Sequence, residues 1–478
     1  MKRSAIVAAA LLLGCNTNPP ELLPPPFGPN GRQPTRLFFP TGLAQADGGV
    51  LLVANGNFNR AFQAGTVVSI DRTYLDSLFE LKTDAGVDLD CSVPSPDPRC
   101  NPQIPQDKFL DAVMIGNYAG PLVLNTDKTA AYTGSRDSGR INAVRVGPGG
   151  SLGCPPNAGD DARKDCRSGI IDLTPAGVDG PYAIAAGDSL PPGTSTAQSV
   201  LFVSSIIPHI DSISSGQIIT STAVAALSMQ DPSKLLFTMP AGSLFVGGAA
   251  GSGYGVGPMV FDQARRELYL SGCYQRSTSF GSGEPGTGLC VGIGTNYLRI
   301  LNVDAASAAA LYLLDLHADV LSTYTTQLLL DIPGPPATLS GPPLTLWATM
   351  RNPDSLVVID LPAQPSVAPR VREVVPLPIS PSDMVRIDRG TAPPLLAIVA
   401  ERLDAVSIFD TGTDQVVAQV ERLGDSPFSI QNIDCPASKP ASACLAVSVF
   451  GACRVALIEV PKDSPSKTAL RALAGSCP

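Results

Sequence analysis

The chain has 478 residues, of which 44% are apolar and 16% charged, with 45 Gly, 46 Pro and a net charge of −9. Asp (34) far outnumbers Glu (8); Asp serves turns and caps whereas Glu favours helices, so composition predicts many short strands joined by turns. A diffusely acidic chain without a basic cluster excludes nucleic acid as partner, and an aromatic content of 5% leaves little for a broad stacking surface.

The first element is Met1-Lys2-Arg3-Ser4 followed by nine apolar residues, Ala5–Leu13, and then Gly14-Cys15. A charged head, a short apolar run and a small residue before the cut make an export signal; a membrane helix needs about 20 apolar residues. Leu12-Leu13-Gly14-Cys15 resembles the lipobox of bacterial lipoproteins. That resemblance implies cleavage before Cys15 and lipid attachment to it; the other reading is an ordinary signal peptide with an incidental Cys. Asn16 resembles the residue that accompanies outer-membrane sorting, so the expected location is the cell envelope, on the outer membrane. Seven prolines between Asn16 and Pro34 predict an extended tether of roughly 60 Å. The expected divisions are signal 1–14, lipidated Cys and linker 15–35, and a folded domain 36–478.

That domain repeats one unit: a Pro-led apolar stretch, a strongly apolar β-run, a turn, and a second β-run that often ends in Asp. The first copy is Pro40–Leu43, Val50–Asn55 and Gly65–Asp71. Its wording, PTGLA…GGVLLVAN…GTVVSID, resembles the repeat of the YVTN or lactonase-like propeller superfamily. Six further copies follow in order. They are Pro121–Leu124, Ala130–Ser135, Gly139–Val146; Pro181–Ile184, Ser199–Ser204, Gly216–Thr220; Pro258–Phe261, Glu267–Ser271, Tyr297–Asp304; Gln327–Asp331, Thr345–Thr349, Ser355–Asp360; Pro381–Met384, Leu395–Ala400, Ala405–Asp410; and Pro427–Ile430, Cys444–Val449, Arg454–Val460.

The middle runs are apolar on both faces, as strands covered on both sides require. Outer strands are predicted at Arg370–Val375 and Gln415–Glu421. The fold class is therefore all-β, a seven-bladed β-propeller of four-stranded antiparallel blades; a pair of β-sandwiches is the alternative arrangement. Closure is expected to bring the segment near Arg36–Phe39, or Thr468–Leu473, into a shared blade.

Eleven cysteines less Cys15 leave an even set, which in an exported chain reads as disulfides. Nearest-neighbour pairing predicts Cys91 with Cys100, Cys154 with Cys166, Cys273 with Cys290, Cys435 with Cys444 and Cys453 with Cys477, although ten cysteines allow many connectivities. Three of these pairs fall in insertions around residues 77–110, 151–172 and 273–296. Zinc would require CxxC-like spacing, which the chain lacks.

No motif points to chemistry. His209 and His317 lie in different units and outside any metal-ligand spacing, and read as loop residues. CxxCH, GxSxG and GxxxxGK[ST] do not occur; the one GxGxxG match, Gly281–Gly286, contains Pro and reads as a loop. The Gly-rich run Gly247–Gly257 reads as a flexible blade connection, and Trp347 as core. The acidic turns Asp84–Asp90 and Asn157–Asp161 could offer oxygens to Ca²⁺ but follow no known calcium loop; no other cofactor is expected. Propeller lactonases use His, Arg and acidic residues around the channel, and none can be carried onto a position here. The expected role is a non-catalytic envelope module binding a protein, peptide or glycan. A lactonase-like or quinoprotein-like enzyme and a structural subunit of an envelope complex are the alternatives.

Overall fold

The computed structural model describes residues 22–27, 34–92, 97–156, 159–189, 198–205, 209–214, 217–221, 223–240, 253–275, 294–303, 310–315, 324–331, 344–351, 353–362, 367–378 and 380–477. Blade 1 is β1 (Pro40–Gln45), β2 (Leu51–Asn55), β3 (Gly65–Ile70) and β4 (Phe109–Ile115). Blade 2 is β5 (Val123–Leu124), β6 (Ala130–Ser135), β7 (Arg140–Val146) and β8 (Leu152–Gly153), with β9 (Ile171–Asp172) also paired to β7. Blade 3 is β10 (Pro181–Ser189), β11 (Gln198–Ser205), β14 (Ala223–Ser228) and β15 (Leu235–Pro240), and carries an inserted hairpin, β12 (His209–Ser214) with β13 (Gln217–Ser221).

Blade 4 is β16 (Gly253–Asp262), β17 (Glu267–Gln275), β18 (Gly294–Asn302) and β19 (Ala310–Asp315). Blade 5 is β20 (Tyr324–Asp331), β21 (Leu344–Arg351), β22 (Ser355–Leu361) and β23 (Arg370–Pro376). Blade 6 is β24 (Pro381–Arg389), β25 (Ala392–Ala400), β26 (Ala405–Asp410) and β27 (Gln415–Val420). Blade 7 is β28 (Pro427–Ile433), β29 (Ser442–Val449), β30 (Arg454–Pro461) and β31 (Ala469–Ala474). Every ladder within the blades is antiparallel, so the chain is a seven-bladed β-propeller.

What closes the ring is the doubly apolar middle strand. In β2, Leu51 and Val53 face blade 7, whereas Leu52 and Ala54 face blade 2. The same alternation recurs around the molecule, so its apolar clusters lie between blades: 1–2, 2–3, 3–4, 4–5, 5–6, 6–7 and 7–1. Trp347 is buried in the cluster between blades 5 and 6. Each buried Leu, Val or Phe contributes about 1.5–3 kcal/mol only while a neighbour covers it, so no blade could stand alone.

The recurring Pro opens an innermost strand, as Pro40, Pro181, Pro381 and Pro427 show. There the chain forms a sheet edge on the channel, where a missing N–H breaks no ladder. Just inside, the register slips in β1, β10, β16, β20, β24 and β28. These bulges bypass Thr41, Tyr182, Gly257-Pro258, Thr326, Ser382-Asp383 and Phe428-Ser429, and bulges re-aim side chains. The terminal Asp of the third run also has a local reason. Asp410 accepts from Gly412 N (2.8 Å) and pairs with Arg389 (3.0 Å), while Asp71 caps α1 (Arg72–Phe79) through Thr73 N (2.9 Å).

Several expectations are corrected. Gly216–Thr220 overlaps β13 of the inserted hairpin; the third strand of blade 3 is β14. The Gly-rich run is not wholly a connection, because Gly253 to Gly257 belong to β16; its earlier part lies outside the described residues. The tether is shorter than expected. Leu22 O accepts from Gln63 N (2.8 Å), Pro24 and Pro25 are buried and Phe27 packs on the blade 7–1 cluster, so residues 22–27 dock on the body. Proline rings offer apolar surface and lose little entropy on docking.

Closure is also different: among the described residues no blade is shared. The last strand, β31, completes blade 7 from its own segment, and residues 36–39 form no strand, although Leu37 packs between blades 7 and 1. A clasp does the joining instead. The insertion between β3 and β4, which contains α1 and the Cys91–Cys100 disulfide, reaches across blade 7. Arg72 bonds Asp434 (3.1 Å) and Cys435 O (3.0 Å), Cys91 N bonds Leu470 O (2.7 Å), and Arg471 bonds Leu89 O (2.6 Å). At its centre Lys439 contacts Asp88 (2.5 Å) and Glu459 (2.8 Å), and Arg471 contacts Glu459 (2.7 Å).

The Lys439 hydrogen bond holds Asp88 below the usual carboxylate range. Burial pushes Glu459 up, but Lys439, Ser442 and Arg471 outweigh it and hold it below its ordinary value. Depressed folded values mean stabilisation that is complete above the ordinary values of 3.8 and 4.5 and lost as pH falls through the folded ones. The denaturant midpoint is therefore expected to hold from pH 7 to about 5 and to drop below about pH 4. Lys439→Met should flatten that drop; an unchanged pH profile in the variant would show that the clasp does not titrate.

Three further disulfides, Cys154–Cys166, Cys435–Cys444 and Cys453–Cys477, pin blades 2 and 7, the last tying the C-terminal tail to the turn between β29 and β30. The Cys273–Cys290 pair and Cys15 lie outside the described side chains.

Candidate functional site

One face of the ring collects the starts of β1, β10, β24 and β28 with the turns that follow β2, β4, β6, β25 and β29. On it, rings from four blades converge around the mouth of the channel. Phe58 stands edge-on to Tyr118 (5.2 Å) and to Phe450 (4.9 Å), and Phe450 meets Phe39 (5.1 Å) and Phe428 (6.3 Å). The Arg136 guanidinium lies 5.1 Å from both the Phe58 and Tyr182 rings, and Arg60 lies 5.1 Å from Tyr118. A chain with 15 Phe, 10 Tyr and one Trp thus places six aromatic rings at a single mouth. The expectation that aromatics leave little for stacking is corrected: they are few, but concentrated.

Local structure positions each ring. Tyr182 and Phe428 occupy the bulges after Pro181 and Pro427. The loop after β2 is pinned by buried Asn57, whose side chain donates to Phe62 O (2.6 Å) and Asn117 (2.6 Å) and accepts from Phe62 N (3.2 Å). Asn117 in turn donates to Asp137 (2.8 Å), joining blades 1 and 2. Asn57, Arg60 and Tyr118 all adopt left-handed φ, 48°, 52° and 53°, a conformation that non-glycine residues keep only where surrounding contacts impose it.

Electrostatically the mouth is uneven. Burial pushes the Arg136 guanidinium down, opposed by Tyr182 and Tyr118. Burial pushes the Tyr182 hydroxyl up; the carboxylates of Asp383 and Glu401 add to this, and the cations of Arg136 and Arg351 oppose it. Glu401 is paired with Arg351 (2.5 Å).

Deeper in the channel, the innermost strands of blades 5, 6 and 7 are laced side chain to side chain. Asp383 accepts from Gln327 Nε2 (2.6 Å), Met384 N (2.8 Å), Ser429 Oγ (2.9 Å) and Ile430 N (3.0 Å). Burial pushes its carboxyl up, and those four bonds pull it back. A second tier runs Asp331–Arg386 (2.9 Å) and Arg386 O–Asn432 (2.7 Å). A carboxylate with every oxygen engaged braces three blades and has no lone pair to spare for a substrate proton.

The residues singled out in the sequence lie elsewhere. His209, on β12, holds Asp179 through Nδ1 (3.0 Å) and is not a lone loop residue. His317 and Gly281–Gly286 lie outside the described residues. In the acidic turns, Asp88 is taken by Lys439 and Asp161 by Arg145 (2.7 Å), so both act as partners of the chain's own cations. Arg136, Phe58, Tyr118 and Arg60 belong to no motif; only Tyr182 and Phe428 carried a signal, as the residues following the recurrent Pro.

No family model matches the chain, and no curated protein does. Solved structures are similar over most of their length. Hydrazine synthase of Kuenenia stuttgartiensis shows 12% identity and a TM-score of 0.49, covering 89% of this chain and 97% of that one. The Cps50 β-propeller domain of Myceliophteria thermophila shows 10% and 0.48, covering 88% and 97%. The periplasmic gluconolactonase of Pseudomonas aeruginosa shows 14% and 0.46, covering 83% and 89%. Likeness at this level carries no argument about activity, and the propeller stands on its own strand pairings.

Proposed function

We propose that this chain is an exported, lipid-anchored recognition module of the cell envelope that binds a protein, peptide or glycan at the aromatic mouth. The observation that carries this reading is the division of labour in the channel. The buried carboxylate Asp383 is saturated by four donors, whereas the groups with capacity to spare are ring faces and arginines. Stacking surfaces and cations recognise; catalysis needs an acceptor free to take a proton. Four disulfides suit an oxidising compartment.

Lipid on Cys15 would leave from the mouth's side of the ring, because Leu22 is bonded to the loop after β2. Seven extended residues span at most about 25 Å, which keeps that face near the bilayer.

Wild type is expected to need detergent for release from membranes and Cys15→Ser to be released without it; equal behaviour would end the anchoring claim. A photo-crosslinker at exposed Arg60 should capture a partner in cells that the same probe at Arg370, on an outer strand, does not. The chain from Asn16 onward should leave lactones and esters intact. Turnover that disappears in mouth variants would establish an enzyme instead, and a stable neighbour captured from every face would favour a structural subunit.

A further inference from the structure

Two arginines at the mouth form no ion pair with any acid among the described residues. Among the described residues, Arg72, Arg351, Arg386, Arg389 and Arg471 each reach a carboxylate oxygen within 3.1 Å. Arg60 and Arg136 make no ion pair there; each lies instead against aromatic rings. Nε of Arg136 is buried without a hydrogen-bond partner.

Acids do stand nearby, and each is committed elsewhere. Asp137, the next residue, takes its bond from Asn117 (2.8 Å); Glu401 holds Arg351 (2.5 Å); Asp383 holds its four donors. Among the described residues Arg36 and Arg454 also have a buried Nε without a partner; Arg136 differs from them in lying against two aromatic rings at the mouth.

We propose that Arg136, seconded by Arg60, receives an anionic group of the ligand, a carboxylate or a phosphate. This rests on the mouth being the binding surface and names the chemistry that it selects. The Arg136 guanidinium lies 5.1 Å from both the Phe58 and the Tyr182 rings, and its capacity for a polar partner is on its N–H edge. That edge matches the paired oxygens of a carboxylate or phosphate. Surrounding rings lower the local dielectric, which strengthens attraction to an incoming anion. They also hold the side chain in one orientation before binding, so little ordering remains to be done. Tyr118 couples the two cations through Phe58, and Arg60, being exposed, meets the ligand at the rim.

The test uses the chain from Asn16 onward, titrated with citrate and, separately, inorganic phosphate against sodium chloride at matched ionic strength. Calorimetry and thermal unfolding are read together. Wild type should show saturable binding and a rise in melting temperature with anion that chloride does not give. Arg136→Gln should weaken binding at least about tenfold, and Arg136→Lys, which keeps the charge without the fork, should weaken it less. Arg60→Gln should weaken it by about two- to fivefold, and Arg370→Gln, on an outer strand, should change nothing. Citrate binding without phosphate binding would assign a carboxylate ligand, and the reverse a phosphate.

No saturable binding by wild type, or full binding by a folded Arg136→Gln, overturns the assignment. Should Arg136→Gln not fold, Arg136→Lys and Arg60→Gln decide alone, and undiminished binding in both overturns it. An uncharged partner crosslinked at Arg60 and retained by Arg136→Gln would end the anion assignment while leaving the mouth as binding surface. A partner captured only away from the mouth would end both.

Discussion

Arg471→Ala is expected to lower unfolding stability by about 3–5 kcal/mol, more than a typical surface change by an order of magnitude. Arg471 is 8% exposed and binds Glu459 through Nε (2.8 Å) and Nη2 (2.7 Å) and Leu89 O through Nη1 (2.6 Å). Its loss leaves a buried carboxylate answered by Lys439 and the Ser442 hydroxyl (2.7 Å), and takes a donor from a carbonyl of the insertion between β3 and β4. Position matters as much as the contact. Because no strand is exchanged between blades 1 and 7, their junction depends on apolar faces and on this clasp, whereas the other junctions join blades continuous in sequence. Denaturant unfolding should show the loss, and hydrogen exchange should accelerate first in β1 and in β28 to β31. Arg471→Met with Glu459→Gln removes both charges and should recover part of it. A loss under about 1 kcal/mol in Arg471→Ala would show that packing alone closes the ring.

Asp383→Ala is expected to cost about 2–4 kcal/mol, since it strips the acceptor from four donors on three blades. Channel water can answer some of them, which keeps the figure below a sum of four bonds. Asp383→Asn is the sharper test, because an amide turns an N–H₂ toward groups that themselves donate. A bracing residue predicts that Asn destabilises nearly as much as Ala. A residue acting as a base predicts nearly native stability with activity lost. Thermal unfolding of both variants separates the two, and a stable, inactive Asp383→Asn would reverse the proposed function.

Much of the fold was legible because repetition and local pattern report burial. Val50–Asn55 reads as a strand covered on both faces, and Leu51 with Val53, and Leu52 with Ala54, turn to opposite neighbours. The recurrent Pro marks a strand edge since only there can a missing N–H be tolerated. The third strand of blade 3 was misplaced for the same reason that the others were found. Gly216–Thr220 and Ala223–Ser228 have equal strand character, and pattern does not say which partner each meets.

The mouth was scarcely legible. Phe39, Phe58, Tyr118, Tyr182, Phe428 and Phe450 are separated by up to hundreds of residues, and each alone is unremarked. Only the bulge after the Pro distinguishes Tyr182 and Phe428. Clasp partners Asp88, Lys439, Glu459 and Arg471 meet only because the ends of the chain are brought together by closure.

From its own letters the chain determined a repeat of small antiparallel sheets whose middle strands demand cover on both sides, since alternation along a strand records which faces must leave water. The tertiary structure decided how the ring is locked and where its recognition chemistry lies. Those depend on side chains distant in sequence that meet only when seven sheets surround one axis, and no local pattern encodes that meeting.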